Sequence, residues 1–104
     1  MWILQGVAED AGEPIVFRVL SGSAKTVGRA VRADFVVDAA LVSRLHCRVL
    51  AEHDRLEVED LNSTNGTFVN GRRVQRAVLA PGDRLRVGRV ELTVVREGSV
   101  APRA

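Results

Sequence analysis

Apolar and polar positions alternate along this chain with a period of two, in short runs broken by glycine, proline and asparagine. That period belongs to strands with one face toward a core. It is clearest from residue 46 onward, where Cys47, Val49 and Ala51 share one face and His46, Arg48, Leu50 and Glu52 the other. After a turn at Glu52-His53-Asp54, Leu56 and Val58 alternate with Arg55, Glu57 and Glu59, which predicts a half-buried strand with an acidic outer face. Leu85 and Val87 alternate with Arg84 and Arg86, and Val90, Leu92 and Val94 continue beyond a turn or bulge at Gly88-Arg89. Upstream, residues 2–7 and 15–20 read as strands around a turn at 10–14, residues 24–27 as a short third strand, and 35–37 as a brief apolar run. Residues 38–44 offer Asp38 as a possible helix cap, but the segment is too short for more than one turn and reads as loop. Residues 67–69 predict a very short strand, 72–79 a basic bridge, and Ala80-Pro81-Gly82-Asp83 a type II turn with Pro at i+1 and Gly at i+2. No segment keeps a 3.6-residue period for three turns. Many short strands at close spacing imply an all-β sandwich.

The stretch that departs most from this pattern is Asp60 to Gly71, where Asn62, Asn65 and Asn70 stand among Ser63, Thr64, Thr67 and two glycines. Asn tolerates positive φ and Gly adopts it freely, so Asn65-Gly66 and Asn70-Gly71 each signal a tight turn. Two further polar clusters fall in loops, at Gly28-Arg29 and at Ser43-Arg44-Leu45-His46.

At 104 residues the chain has the length of one domain, with residues 1–97 as its body and 98–104 as a tail or the start of a linker. Its 46% hydrophobic and 27% charged content fits an ordinary globular chain. One cysteine, Cys47, excludes an internal disulfide, no Cys/His cluster has zinc spacing, and the expected setting is the reducing cytoplasm. A net charge of +2 suits an anionic partner without arguing for nucleic acid, and three Phe, one Trp and no Tyr leave little for base stacking. No apolar run reaches the roughly 20 residues of a membrane span, and no signal-peptide pattern opens the chain, so neither membrane insertion nor secretion by a cleaved signal is expected.

The order Gly28-Arg29, Ser43-x-x-His46, Asn62-Ser63-Thr64-Asn65-Gly66-Thr67-x-Val69-Asn70-Gly71, then Leu79-x-x-Gly82-Asp83-x-Leu85-x-x-Gly88 resembles the signature of the forkhead-associated (FHA) domain. The likeness runs from about residue 27 to 95. It implies a β-sandwich of two mainly antiparallel twisted sheets with about eleven strands and the ligand site in the loops at one end. It also implies a module that binds phosphothreonine in partner proteins, with no catalysis and no cofactor. A phosphothreonine presents close to two negative charges and three strong acceptor oxygens. A fixed guanidinium and nearby neutral donors suit it. By resemblance, Arg29, Ser43 and Arg44 face the phosphate, Thr64 approaches the phosphothreonine, and Asn65 grips the peptide backbone. Gly28 lets the chain turn tightly, His46 buttresses Ser43, Asn62 braces the loop, and Gly66 sets its backbone. Asn70 and Arg72 are candidates for residues flanking the phosphothreonine. The Ala/Arg/Val-rich composition resembles that of a high-GC bacterium, which would place a Ser/Thr kinase upstream.

Blander roles stand beside these. Cys47 alternates with core positions and reads as an inert buried thiol, and His53 as surface. Asp34, Asp38, Asp60 and Asp83 form no acid–base pair, and Ser43 with His46 lacks an evident third catalytic group. Arg72, Arg73 and Arg76 are either a solvated edge that resists strand-to-strand association or a surface that favours acidic flanking residues. The alternative to phosphopeptide binding is an FHA scaffold that contacts a partner, or oligomerises, without phosphate. The isolated domain is expected to be a monomer.

Overall fold

The two-residue alternation folds into eleven strands and, among the described residues, no helix. The computed structural model describes residues 1–7 and 12–97. Part of the expected turn at 10–14 and all of the expected tail at 98–104 lie outside them. The strands are β1 (Trp2–Val7), β2 (Pro14–Val19), β3 (Ala24–Gly28), β4 (Phe35–Val36), β5 (Cys47–Glu52) and β6 (Arg55–Asp60). They continue with β7 (Thr67–Val69), β8 (Arg72–Val74), β9 (Arg76–Leu79), β10 (Arg84–Val87) and β11 (Val90–Arg96). One sheet has the order β2-β1-β11-β10-β7-β8 and the other β4-β3-β5-β6-β9. All pairings are antiparallel except β3 with β4.

The predicted faces are those the sheets bury. Cys47, Val49, Ala51, Leu56 and Val58 from one sheet meet Leu4, Leu85, Val87, Leu92 and Val94 from the other. Each fully buried Leu among them contributes about 2 kcal/mol of transfer free energy. Phe17 of β2 and Phe35 of β4 stack across the sandwich with ring centroids 4.5 Å apart, joining the two sheets at an edge.

Two local expectations change. The basic bridge at 72–79 is two edge strands, β8 and β9, one in each sheet. Gln75 makes the step between them, accepting the Asp60 N–H on its carbonyl and donating its side-chain amide to the Asp60 carbonyl. The high charge at 72–76 hid these strands because edge strands tolerate arginine where central ones do not. The second change is His46, which alternation placed with Arg48 and Leu50 on the outer face. It precedes β5, and its ring turns inward to complete burial.

The tight turns fall where Asn, Asp and Gly stand. His53 and Asp54 have φ of 53 and 65° in the β5–β6 turn, and Asn70 and Gly71 have 51 and 82° between β7 and β8. Two successive positive φ values are the mark of a type I′ hairpin, whose twist matches that of its strands. Gly82, at 92°, occupies the position that the type II turn requires.

Candidate functional site

Three loops converge at one end of the sandwich: β3–β4, β4–β5 and β6–β7. The first two are zipped together by backbone. Arg29 N–H donates to the Ser43 carbonyl at 2.9 Å, Ala30 N–H to the Arg44 carbonyl at 3.1 Å, and His46 N–H to the Val27 carbonyl at 2.7 Å. The approach is so close that a Cβ on Gly28 would run into the Arg44 carbonyl oxygen. Gly28 was expected to allow a tight turn. It is instead the last residue of β3, without positive φ, and its lack of a side chain is what admits the neighbouring loop. Gly28→Ala should therefore cost about 2–3 kcal/mol of stability. Urea unfolding checks this, and a loss under about 0.5 kcal/mol would mean that the β4–β5 loop can shift freely.

The β3–β4 loop is clipped by Asp34 and Thr26. Asp34 accepts from the Thr26 N–H and hydroxyl at 2.9 and 3.1 Å and returns its own N–H to the Thr26 oxygen at 3.0 Å. The backbone N–H of Thr26 first, and its hydroxyl second, hold the Asp34 carboxyl below its ordinary pKa.

His46 ties the other two loops together. Ser43 N–H donates to Nδ1 at 3.0 Å, which leaves the ring proton on Nε2 for the Gly66 carbonyl 2.8 Å away. Asp60, which sequence reading left without a role, organises the β6–β7 loop. Its carboxylate accepts from Ser63 N–H at 3.1 Å, Ser63 Oγ at 2.5 Å and Thr67 Oγ1 at 2.7 Å, while Ser63 Oγ accepts from Gly66 N–H at 3.0 Å. Burial by itself would raise the Asp60 pKa, but the Ser63 and Thr67 hydroxyls, the Ser63 N–H and nearby His46 together hold it below the ordinary value. Nearby Cys47 is completely buried, and burial first, then the Asp60 charge, push its thiol up to about 12.

This scaffold surrounds an open depression of about 450 Å³ lined by the 38–43 loop with Arg29, Thr64 and Asn65. Arg29 Nε–H donates to the Val42 carbonyl at 3.0 Å, so one edge of the guanidinium is anchored while both terminal nitrogens lack a partner among the described residues. Ser43 Oγ accepts from Thr64 N–H at 3.1 Å, leaving its own proton free to donate. Asn65 donates Nδ2–H to the Leu41 carbonyl at 3.1 Å. Asp38 is the other charged residue lining the depression, and sequence reading did not place it there.

Of the predicted site residues, Arg29, Ser43, Thr64 and Asn65 share this depression, whereas Arg44 is exposed beside it and does not line it. Asn62 was expected to brace the loop, but its side chain is exposed and makes no hydrogen bond among the described residues. It contributes a left-handed turn at φ 62°. Asn70 is occupied elsewhere, donating to Asp83 at 3.0 Å and accepting from Arg84 N–H at 2.9 Å. Arg72 is exposed at the β7–β8 hairpin end of β8. Its neighbour Arg73 comes closer to the site: Gly66, at φ 91°, packs so tightly on the Arg73 guanidinium that a Cβ there would lie 2.7 Å from Nε. Cross-strand pairing of Phe68 with Arg73 brings this about, and no local signal in the sequence could have chosen Arg73 over Arg72.

Comparison with known proteins adds to this geometry. The FHA domain family model matches residues 25–88, which takes in all four sequence blocks. An ABC transporter ATP-binding/permease protein of Mycobacterium tuberculosis is 39% identical over 84 residues, 81% of this chain and 10% of the transporter, so the chain spans a small part of that relative. The FhaA FHA domain, solved in complex with the intracellular domain of Rv3910, matches with a TM-score of 0.80 at 35% identity, over 90% of this chain and 99% of that one. A structure from work on phosphothreonine-dependent FHA domain interactions matches at 0.79 and 30% identity, over 95% of this chain and 100% of that one. With the sequence blocks, the sandwich and its loop-end depression all in agreement, this chain belongs to the FHA domain family.

Proposed function

We propose that residues 1–97 form a module that binds phosphothreonine-containing segments of partner proteins in cytoplasmic Ser/Thr kinase signalling. One observation carries the reading: the unpartnered edge of the Arg29 guanidinium and the unspent Ser43 proton belong to one depression, each held from behind by backbone. A pre-positioned cation and neutral donors suit a tetrahedral dianion, because charge-assisted bonds gain most when nothing need reorganise to make them. Arg44 supplies further positive charge at the rim, Thr64 stands beside the phosphothreonine, and Asn65 keeps its carbonyl oxygen for the peptide backbone. The module acts by binding, as a monomer, without cofactor or catalysis. The matched structure from work on phosphothreonine-dependent FHA interactions supports the same ligand class.

An oriented phosphothreonine peptide library, with phosphoserine and unphosphorylated controls, tests this directly. Phosphothreonine peptides should be selected, and binding should weaken as pH falls below about 6, where the phosphate loses its second charge. Equal capture of unphosphorylated peptides would favour a phosphate-independent scaffold instead. Affinity unchanged from about pH 7.5 to about pH 5 would rule out dependence on the dianion.

A further inference from the structure

We propose that the outer face of β10, β7 and β8 is a second docking surface, separate from the phosphate depression, for an extended, unphosphorylated acidic segment of a partner protein. The two sheets treat charge differently on their outer faces. On the β4-β3-β5-β6-β9 sheet the arginines meet acids: Arg48 reaches Glu59 at 2.7 Å, and Arg55 and Arg76 reach Glu57 at 3.0 and 3.7 Å. On the other sheet Arg73, Phe68, Arg86 and Glu91 follow one another across β8, β7, β10 and β11. Val69, Leu85 and Val87 turn to the core, so Phe68, Arg84 and Arg86 turn outward. Among the described residues Arg73 and Arg86 make no ion pair, and Arg84 reaches Glu91 only at 4.0 Å. Three guanidinium groups thus share one carboxylate. The arginine cluster at 72–76 is divided between the sheets, with Arg76 neutralised on one and Arg73 part of a surplus on the other.

The surplus charge is held in position. Arg86 lies over the Phe68 ring, its guanidinium carbon 4.3 Å from the centroid, and donates to the Gly88 carbonyl at 3.2 Å. Arg73 packs against Gly66. Arginines already ordered lose less freedom when they meet a partner. Arg84 and Arg86 stand on the same side of β10 with roughly 7 Å between them along the strand, the spacing of alternate side chains in an extended peptide. Beside them Asn70, Gly71, Arg84 and Glu91 line an open depression of about 310 Å³. Planar guanidinium groups suit carboxylates, which they bind through two parallel bonds. Glu91 interrupts the row and opposes an unbroken run of phosphates, and Arg86 covers the ring on which a base would stack. Carboxylates at intervals therefore fit this face better than nucleic acid does.

The test is binding of an unphosphorylated peptide of alternating glutamate and alanine to the full chain at low ionic strength. Wild type should bind it, with amide shifts that map to β7, β8 and β10 and not to the 38–43 loop. Arg84→Gln combined with Arg86→Gln should weaken binding about tenfold. Arg48→Gln combined with Arg55→Gln removes the same charge from the other sheet and should stay within about twofold of wild type. Arg84→Glu combined with Arg86→Glu should instead bind a peptide of alternating lysine and alanine, a gain that misfolding cannot produce. No binding by wild type, shifts confined to the 38–43 loop, or an equal loss in the Arg48 and Arg55 pair overturns the assignment. Tighter binding of duplex DNA or phosphatidylserine vesicles through Arg84 and Arg86 overturns the choice of an acidic segment. The probe carries no phosphate, so none of these outcomes bears on the phosphothreonine reading, which its own library tests.

Discussion

Arg29→Ala should lower the affinity for a phosphothreonine peptide by about 100-fold or more, since two charge-assisted bonds at about 1.5–3 kcal/mol each are at stake. The reason for so large an effect lies in the lining of the depression. Arg29 and Asp38 are its charged residues, so removing the guanidinium leaves Asp38 as the charged residue of the lining. Arg29→Lys separates charge from geometry. An ammonium keeps the sign, but it has neither the Nε–H that bonds the Val42 carbonyl nor a planar pair of donors for two phosphate oxygens. It should recover part of the affinity and remain about tenfold or more below wild type. Calorimetric titration of the three proteins with one peptide measures this, and Arg29→Ala within about threefold of wild type would remove Arg29 from the phosphate site.

Asp60→Ala should cost about 3–5 kcal/mol of folding stability at neutral pH. It removes the acceptor for Ser63 N–H, Ser63 Oγ and Thr67 Oγ1, all of them buried. Asp60→Asn, which keeps one acceptor oxygen and loses the charge, should fall between Asp60→Ala and wild type. The effect also depends on pH. The Asp60 carboxyl lies below its ordinary value in the folded protein, so the stability it adds is fully present above about pH 5 and is lost as pH falls through about 4 and lower. Asp34, lowered by its bonds to Thr26, acts in the same window, so the useful quantity is the difference between wild type and Asp60→Ala. That difference should shrink on acidification. Urea unfolding at several pH values reads it, and a constant difference down to about pH 3 would show that the carboxylate charge contributes nothing.

Sequence and tertiary structure divide the description along physical lines. Alternation over 47–52, 55–59 and 84–87 determined strands, faces and much of the core, because a period of two leaves one way to bury Cys47, Val49, Leu56, Val58, Leu85 and Val87. Asn70-Gly71 and Pro81-Gly82 determined their turns, because few residues accept those backbone angles. The order of motif blocks determined the family and proposed the site. Tertiary structure decided what depends on pairing between distant segments. It made two edge strands of the arginine-rich 72–79, turned His46 inward to join Ser43 to Gly66, and gave Asp60 three donors. It committed Asn70 to the Asp83–Arg84 turn, brought Arg73 against Gly66, and put Leu41, at positive φ, in the lining that also holds Arg29. None of these follows from a residue and its immediate neighbours. The edge strands, the His46 bridge to Gly66 and the Asn70 bonds join segments far apart in sequence, whereas the Asp60 bonds and the Gly66–Arg73 contact close within one loop or hairpin and need its folded shape.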